Sequence, residues 1–276
     1  MLNLIRMNLY RMVRTKGLWI VMLCMVGFGA ITCIMTTVDL DVVGYNQNDG
    51  NVEPEESFGI SVGVPVSADN AAPSFLEFYN SNLSSGLLLI FLSIACAIYY
   101  SGEMKSGFLK NIAGQTKHKA DIFLSKTVVN IIYILLMLLV YGAVLYIGLR
   151  LMFPKQYTFR FGTEYWNETL QLVLVLYVLH LAFAGGVAFL TTAFQSATVG
   201  ITVGLLAAFG LPAMFMDYLK RFLDVDFIKF LLTNNINGMR IGMAQKDLLF
   251  ALGVGIISSI IYYFLGAVYF TKKDVV

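Results

Sequence analysis

Charge is scarce in this sequence. Asp, Glu, Lys and Arg make up only 13% of its residues, against about 25% in a soluble domain. Hydrophobic residues reach 58%, and mean hydropathy is +0.74. As a soluble protein, 276 residues would make one or two domains. The charge deficit argues instead for a single membrane domain, residues 1–276, solvated by lipid. Formal net charge is only +2, so nucleic acid is not an expected partner. The three cysteines, Cys24, Cys33 and Cys96, all lie in apolar blocks. An odd count placed there gives no disulfide framework. The two histidines, His118 and His180, are too few for a multi-His metal site. There is no H-E-x-x-H, no G-x-S-x-G and no Cys/His cluster with metal spacing. A G-x-x-x-x-G-K-[ST] loop is also missing, so the chain supplies no ATP site of this kind. No catalytic residue, metal or cofactor is expected on the chain itself.

Long apolar blocks are abundant. Six are long enough to cross a hydrocarbon core of about 30 Å, which needs about 20 helical residues. Their approximate spans are 18–38, 83–101, 127–149, 169–190, 198–216 and 248–270. Helix is expected throughout, because backbone polar groups in lipid must be satisfied within the segment. The block 18–38 is too long for a signal-peptide core and lacks a small-x-small cleavage site, so it is expected to remain as a span.

Lys and Arg set the orientation. With the N-terminus inside, the inner segments carry eleven basic and three acidic residues, and the outer segments eight basic and fourteen acidic. The first outer loop, 39–82, has eight acids and no Lys or Arg. The positive-inside rule then places both termini in the cytoplasm.

Four segments outside the blocks stand out. Residues 1–16 read as an amphipathic interfacial helix, with Leu2, Ile5, Leu9, Met12 and Val13 on one face and Arg6, Arg11 and Arg14 on the other. Leu4 and Met7 break that pattern. The long acidic loop 39–82 contains an alternating run, Ile60 to Val66, that suits either a short edge strand or a solvated loop. Residues 217–247 interleave Phe222, Leu223, Phe227 and Phe230 with Lys220, Arg221 and Lys229, as short amphipathic helices at the outer interface do. The basic segment 101–126 lies between spans two and three. Glu103 and Gly107, four apart, share one helical face, and Met104, Phe108, Leu109 and Ile112 form an ordered apolar set. Gly114 is a stop signal, and Asp121 suits the start of the next helix. An ordinary basic loop would satisfy the charge rule without that apolar set.

These features together resemble the membrane permeases of type 2 ATP-binding-cassette exporters. The resemblance rests on six spans with both ends inside, the N-terminal interfacial helix, Glu103-x-x-x-Gly107 after span two, Lys126 at the opening of span three, and the Phe270-Thr-Lys-Lys-Asp274 ending. The turns between spans five and six are similar to that family's outer re-entrant helices. The chain departs from the family at Thr116-Lys117-His118-Lys119, where many members have a Pro and an Arg. The resemblance implies a bacterial plasma-membrane protein paired with a second permease, a copy or a paralogue, and with cytoplasmic ATPase subunits that hold ATP and Mg. It implies a coupling helix contributing Glu103, Met104, Gly107, Phe108, Lys110, Asn111 and Lys126 to the ATPase interface. The implied cargo is amphipathic: an antimicrobial or toxin peptide, or a lipid-like compound.

Within the spans the sequence offers few polar candidates. His180 is an intramembrane ionisable residue, either functional or bonded to a neighbouring helix. Gly200 and Gly204 match small-xxx-small spacing, which lets helices approach closely. Pro212 suits a kink at the outer end of span five. Two other readings stay open. One is a scaffold or sensor subunit that docks an ATPase without passing cargo. The other is an intramembrane enzyme built on His180 with Ser93, Thr191 or Thr192.

Overall fold

The computed structural model describes residues 1–43, 74–102, 119–152, 163–223 and 227–272. Every regular element among them is helical: α1 (Leu2–Arg14), α2 (Lys16–Val43), α3 (Phe75–Ser84), α4 (Leu87–Ser101), α5 (Ala120–Met152), α6 (Thr163–Phe194), α7 (Ala197–Ala208), α8 (Leu211–Leu223), a 3-10 turn (Ile228–Phe230), α9 (Leu232–Asn237) and α10 (Gln245–Lys272). Four helices (α2, α5, α6 and α10) are long and apolar enough to cross a membrane on their own. Two bent pairs, α3 with α4 and α7 with α8, raise the number of candidate spans to six. The run Ile60–Val66, the coupling residues Glu103, Met104, Gly107, Phe108, Lys110 and Asn111, and the end Lys273–Asp274 lie outside the described residues.

Close packing fixes the helix directions. A Cβ at Gly29 would meet Val144 and one at Gly148 would meet Cys33, so α2 and α5 run parallel. The same argument pairs Gly255 with Leu179 and Gly185 with Tyr263, making α6 and α10 parallel. By contrast, Gly200 faces Ala97 and Gly204 faces Ser93, so α7 is antiparallel to α4. Tyr100 meets Phe123, and Cys96 meets Asn130, so α4 is also antiparallel to α5. Up and down helices therefore alternate along the chain. Asn8, Tyr100, Phe123 and Phe270 gather at one end of the bundle. Helix α4 is the core element, with Leu88, Leu89, Leu92, Cys96 and Tyr100 all buried. The outward faces of α2, α5 and α10 carry exposed Leu23, Leu139, Ile147, Ile257 and Phe264, as a lipid-facing surface requires.

Two spans differ from the expected continuous helices. Span two begins earlier than residue 83. Residues 75–84 form a buried helix, α3, opened by a capping box between Ser74 and Glu77. Asn80, Asn82, Ser81 and Ser84 make this stretch read as loop, yet its Phe75, Leu76, Phe78 and Leu83 pack into the core. The pair bends by 53° at Ser85–Gly86, where Gly86 has φ +71°. A non-Gly residue resists that left-handed conformation. Span five breaks by 60° between α7 and α8, at Gly210 with φ +79°. Pro212 is therefore not the kink itself. It occupies the first turn of α8, where its missing N–H costs no helical bond.

Candidate functional site

The site is built at the end of the bundle where α1, the end of α4, the start of α5 and the end of α10 meet. Ser101 and Ala120, the helix ends that flank residues 103–118, both lie here. Helix α1 is docked by polar as well as apolar contact. Asn8 is buried and its Nδ2 donates to Ser125 Oγ over 2.8 Å, and Ser125 donates in turn to the Ile122 carbonyl. Met12 is buried, and Leu4, Ile5 and Met7 pack on the core. Leu4 and Met7, which broke the expected amphipathic pattern, thus lie on the side facing protein. Leu2, Leu9 and Val13 are exposed, along with Arg6 and Arg14. The helix therefore uses one apolar edge for the bundle and another for the surroundings. Its junction with α2 is tied by Trp19, whose Nε1 donates to the Val13 carbonyl over 2.6 Å.

Lys126 lies one residue beyond Ser125 on α5 and is only 2% exposed. Its ammonium group is 5.7 Å from the Tyr100 ring centroid and 6.0 Å from that of Tyr99. Two aromatic faces compensate part of the cost of removing the charge from water. Tyr100 is fixed by Thr127 Oγ1 at 3.4 Å and by the Phe123 ring at 5.5 Å between centroids. Phe123 also packs on Phe270 and against Gly266, so α10 completes the wall. Exposed Arg6, Arg14, Lys16 and Lys272 make this end basic. Asp121 contributes one acid in the first turn of α5.

A second polar cluster ties the spans together further in. Asn130 Nδ2 donates to Tyr263 Oη at 3.3 Å and lies 3.8 Å from Cys96 Sγ. Tyr263 donates to the Leu181 carbonyl and Cys96 to the Ala184 carbonyl. One amide thus links α4, α5, α6 and α10. Neither Asn8 nor Asn130 is among the residues expected from the sequence. For Asn130 the available signal was a lone Asn inside the apolar block 127–149, because such a side chain seeks a partner on another helix; Asn8, in the amphipathic segment 1–16, carried no such signal.

The remaining sequence candidates are dispersed. Gly200 and Gly204 line the α7 face against α4 and α6: an added Cβ would meet Thr191 and Ala97 at the first, and Ser93 and Val187 at the second. His180 is 1% exposed, and its Nδ1 lies 2.7 Å from the Leu176 carbonyl of its own helix. Ser93, Thr191 and Thr192 each donate to the carbonyl four residues earlier. Those hydroxyls are bonded to their own helices rather than to His180. Among the described residues no group of three His, Cys, Asp or Glu side chains could hold a metal ion.

No curated protein and no solved structure matches the chain. Residues 16–276 do match a family, from the start of α2 to the last residue and so through all six candidate spans, and the chain belongs to it: the family described as Protein of unknown function (DUF2705).

Proposed function

We propose that this chain is the membrane-spanning permease subunit of an ATP-driven exporter, with six spans and both termini cytoplasmic. The observation that carries the reading is the basic end of the bundle. There the helix ends bordering 103–118 sit beside the docked α1, buried Lys126 and the last turn of α10. A segment rooted on α4 and α5 is mechanically connected to the core helix and to the clasp at Asn130. Force applied to Glu103, Met104, Gly107, Phe108, Lys110 and Asn111 by a cytoplasmic ATPase would reach the bundle through those two helices. The two broken spans favour transport over a passive anchor, because discontinuous helices in membranes occur where the backbone lines a cavity or is buried in protein. The cargo class is amphipathic, a peptide or lipid-like compound, and ATP and Mg belong to the partner. A second permease completes the pathway.

The test is co-purification of the detergent-solubilised chain from its native membrane with identification of the bound proteins. The expected result is a P-loop ATPase that is lost with Glu103→Arg and retained with Lys246→Glu at the opposite end. Recovery of the chain without an ATPase, together with wild-type behaviour of Glu103→Arg, overturns the proposal. An ATPase that co-purifies while export proceeds without this chain would assign it the scaffold role instead.

A further inference from the structure

A cavity of about 370 Å³ lies between α6, α7, α8, the 3-10 turn, α9 and α10. That volume is at the lower end of the roughly 300–1,000 Å³ found in small-molecule sites. Among the described residues its walls include Gly186, Val203, Pro212, Phe230, Ser258 and Tyr262. Only Thr233, Ser258 and Tyr262 among the lining residues bring polar side chains.

Depth narrows the choice of occupant. At 1.5 Å per residue, Gly186 is roughly 12 Å from the Phe194 end of α6. Tyr262 is roughly 15 Å from the Lys272 end of α10 by the same rise. Both positions fall inside a hydrocarbon core of about 30 Å. The cavity forms because α7 stops at Ala208 and α8 departs at 60°, leaving the space beside α6 and α10 for the tip of the 3-10 turn. Its rim includes Val203 and Phe230, both exposed on the outside of the bundle. Water gains little in a space with so few polar partners. Leaving it empty would forfeit dispersion contacts along the whole lining. The molecule that reaches an apolar opening at this depth is the bilayer itself.

We infer that this cavity binds one acyl chain of a membrane phospholipid from the leaflet at the α8–α9 end. The inference rests on the chain's spanning a membrane and not on the presence of an ATPase, so loss of the partner protein would leave it standing.

The full-length chain in nanodiscs, with a phospholipid carrying a diazirine near the end of one acyl chain, provides the test. After illumination, labelled peptides are compared between the cavity wall, Phe183 to Leu190, and the open face of α5, Leu135 to Leu139. Labelling of the wall is expected to exceed that of the open face several-fold. Gly186→Leu should abolish the excess without changing α5, since the three atoms nearest to a Cβ at Gly186 all belong to the Tyr262 ring, at ordinary distances of 3.5–3.8 Å. Val203→Trp fills the same space from the other wall and keeps the test decisive if Gly186→Leu fails to fold. Equal labelling of the two regions, an excess untouched by both variants, or chain-to-chain cross-links through Phe230→Cys that place a second copy in the cavity would each overturn the inference.

Discussion

At the residue scale the structure turns on a few polar side chains held in an apolar bundle. Interhelical hydrogen bonds in membranes contribute about 0.6 kcal/mol on average and up to about 1.7 kcal/mol. A double-mutant cycle of Asn130→Ala and Tyr263→Phe should therefore give a coupling energy of about 0.6–1.7 kcal/mol in a detergent unfolding titration. A coupling of zero would mean the clasp is geometric only. Gln195 makes the opposite prediction. It closes the turn between α6 and α7 with φ 52°, and the Ser196 N–H bonds back to the Thr191 carbonyl. This is a Schellman-type ending whose left-handed position is usually Gly. Gln195→Gly should stabilise the protein by about 1 kcal/mol, since L side chains resist that conformation by about that amount. Reduced or unchanged stability would show that the Gln side chain makes a compensating bond.

At the scale of the element, glycines separate close contacts from open ones. Gly204 packs against Ser93 and Val187, whereas Gly253 has nothing within 4 Å of an added Cβ. Gly204→Val should cost about 1–3 kcal/mol through overpacking, and Gly253→Ala should be neutral or stabilising by about 0.5–1 kcal/mol through helix propensity. Equal effects at the two positions would remove the argument for close α4–α7 contact. Helix α1 makes a separate prediction. Without the Asn8–Ser125 bond its docking loses its buried polar contact and leans on the apolar contacts of Leu4, Ile5, Met7 and Met12, so Ser125→Ala should raise amide exchange over residues 2–14 while leaving α6 unchanged. The sequence made the long helices legible because their apolar runs far exceed any strand or loop. It hid α3, whose four Asn and Ser positions break the run although the helix is buried. It placed the bend of span five at Pro212, but the chain turns at Gly210, because a Pro in a first turn starts a helix as readily as it breaks one. Lys126 was legible as a candidate through the family resemblance. Its aromatic surroundings were not, because Tyr99 and Tyr100 come from another helix about 25 positions earlier in sequence, and no local pattern reports that pairing.

At the scale of the whole molecule, alternating helix directions place the N-terminal helix and the last turn of α10 at one end, with Lys246 at the other. In a Cys24→Ala background, with Cys33 and Cys96 buried, a membrane-impermeant maleimide added to intact cells should label Lys246→Cys and spare Lys16→Cys. Inverted vesicles should give the reverse, and labelling of both positions from one side would refute the six-span reading. The glycine breaks have a mechanical consequence. Gly86 and Gly210 both lie on the side of the bundle away from α1, and a Cβ on Gly86 would meet the Ala208 carbonyl and Asn237. The hinge of span two thus touches the last turn before the hinge of span five. Four candidate spans are continuous rods, tied together by Asn130 part-way along, whereas spans two and five are jointed half-rods whose joints lie at the end away from α1. If an ATPase pushes at the α1 end as proposed, the glycine joints, whose torsions can turn while the flanking half-helices keep their own bonds, are where displacement is expected to emerge.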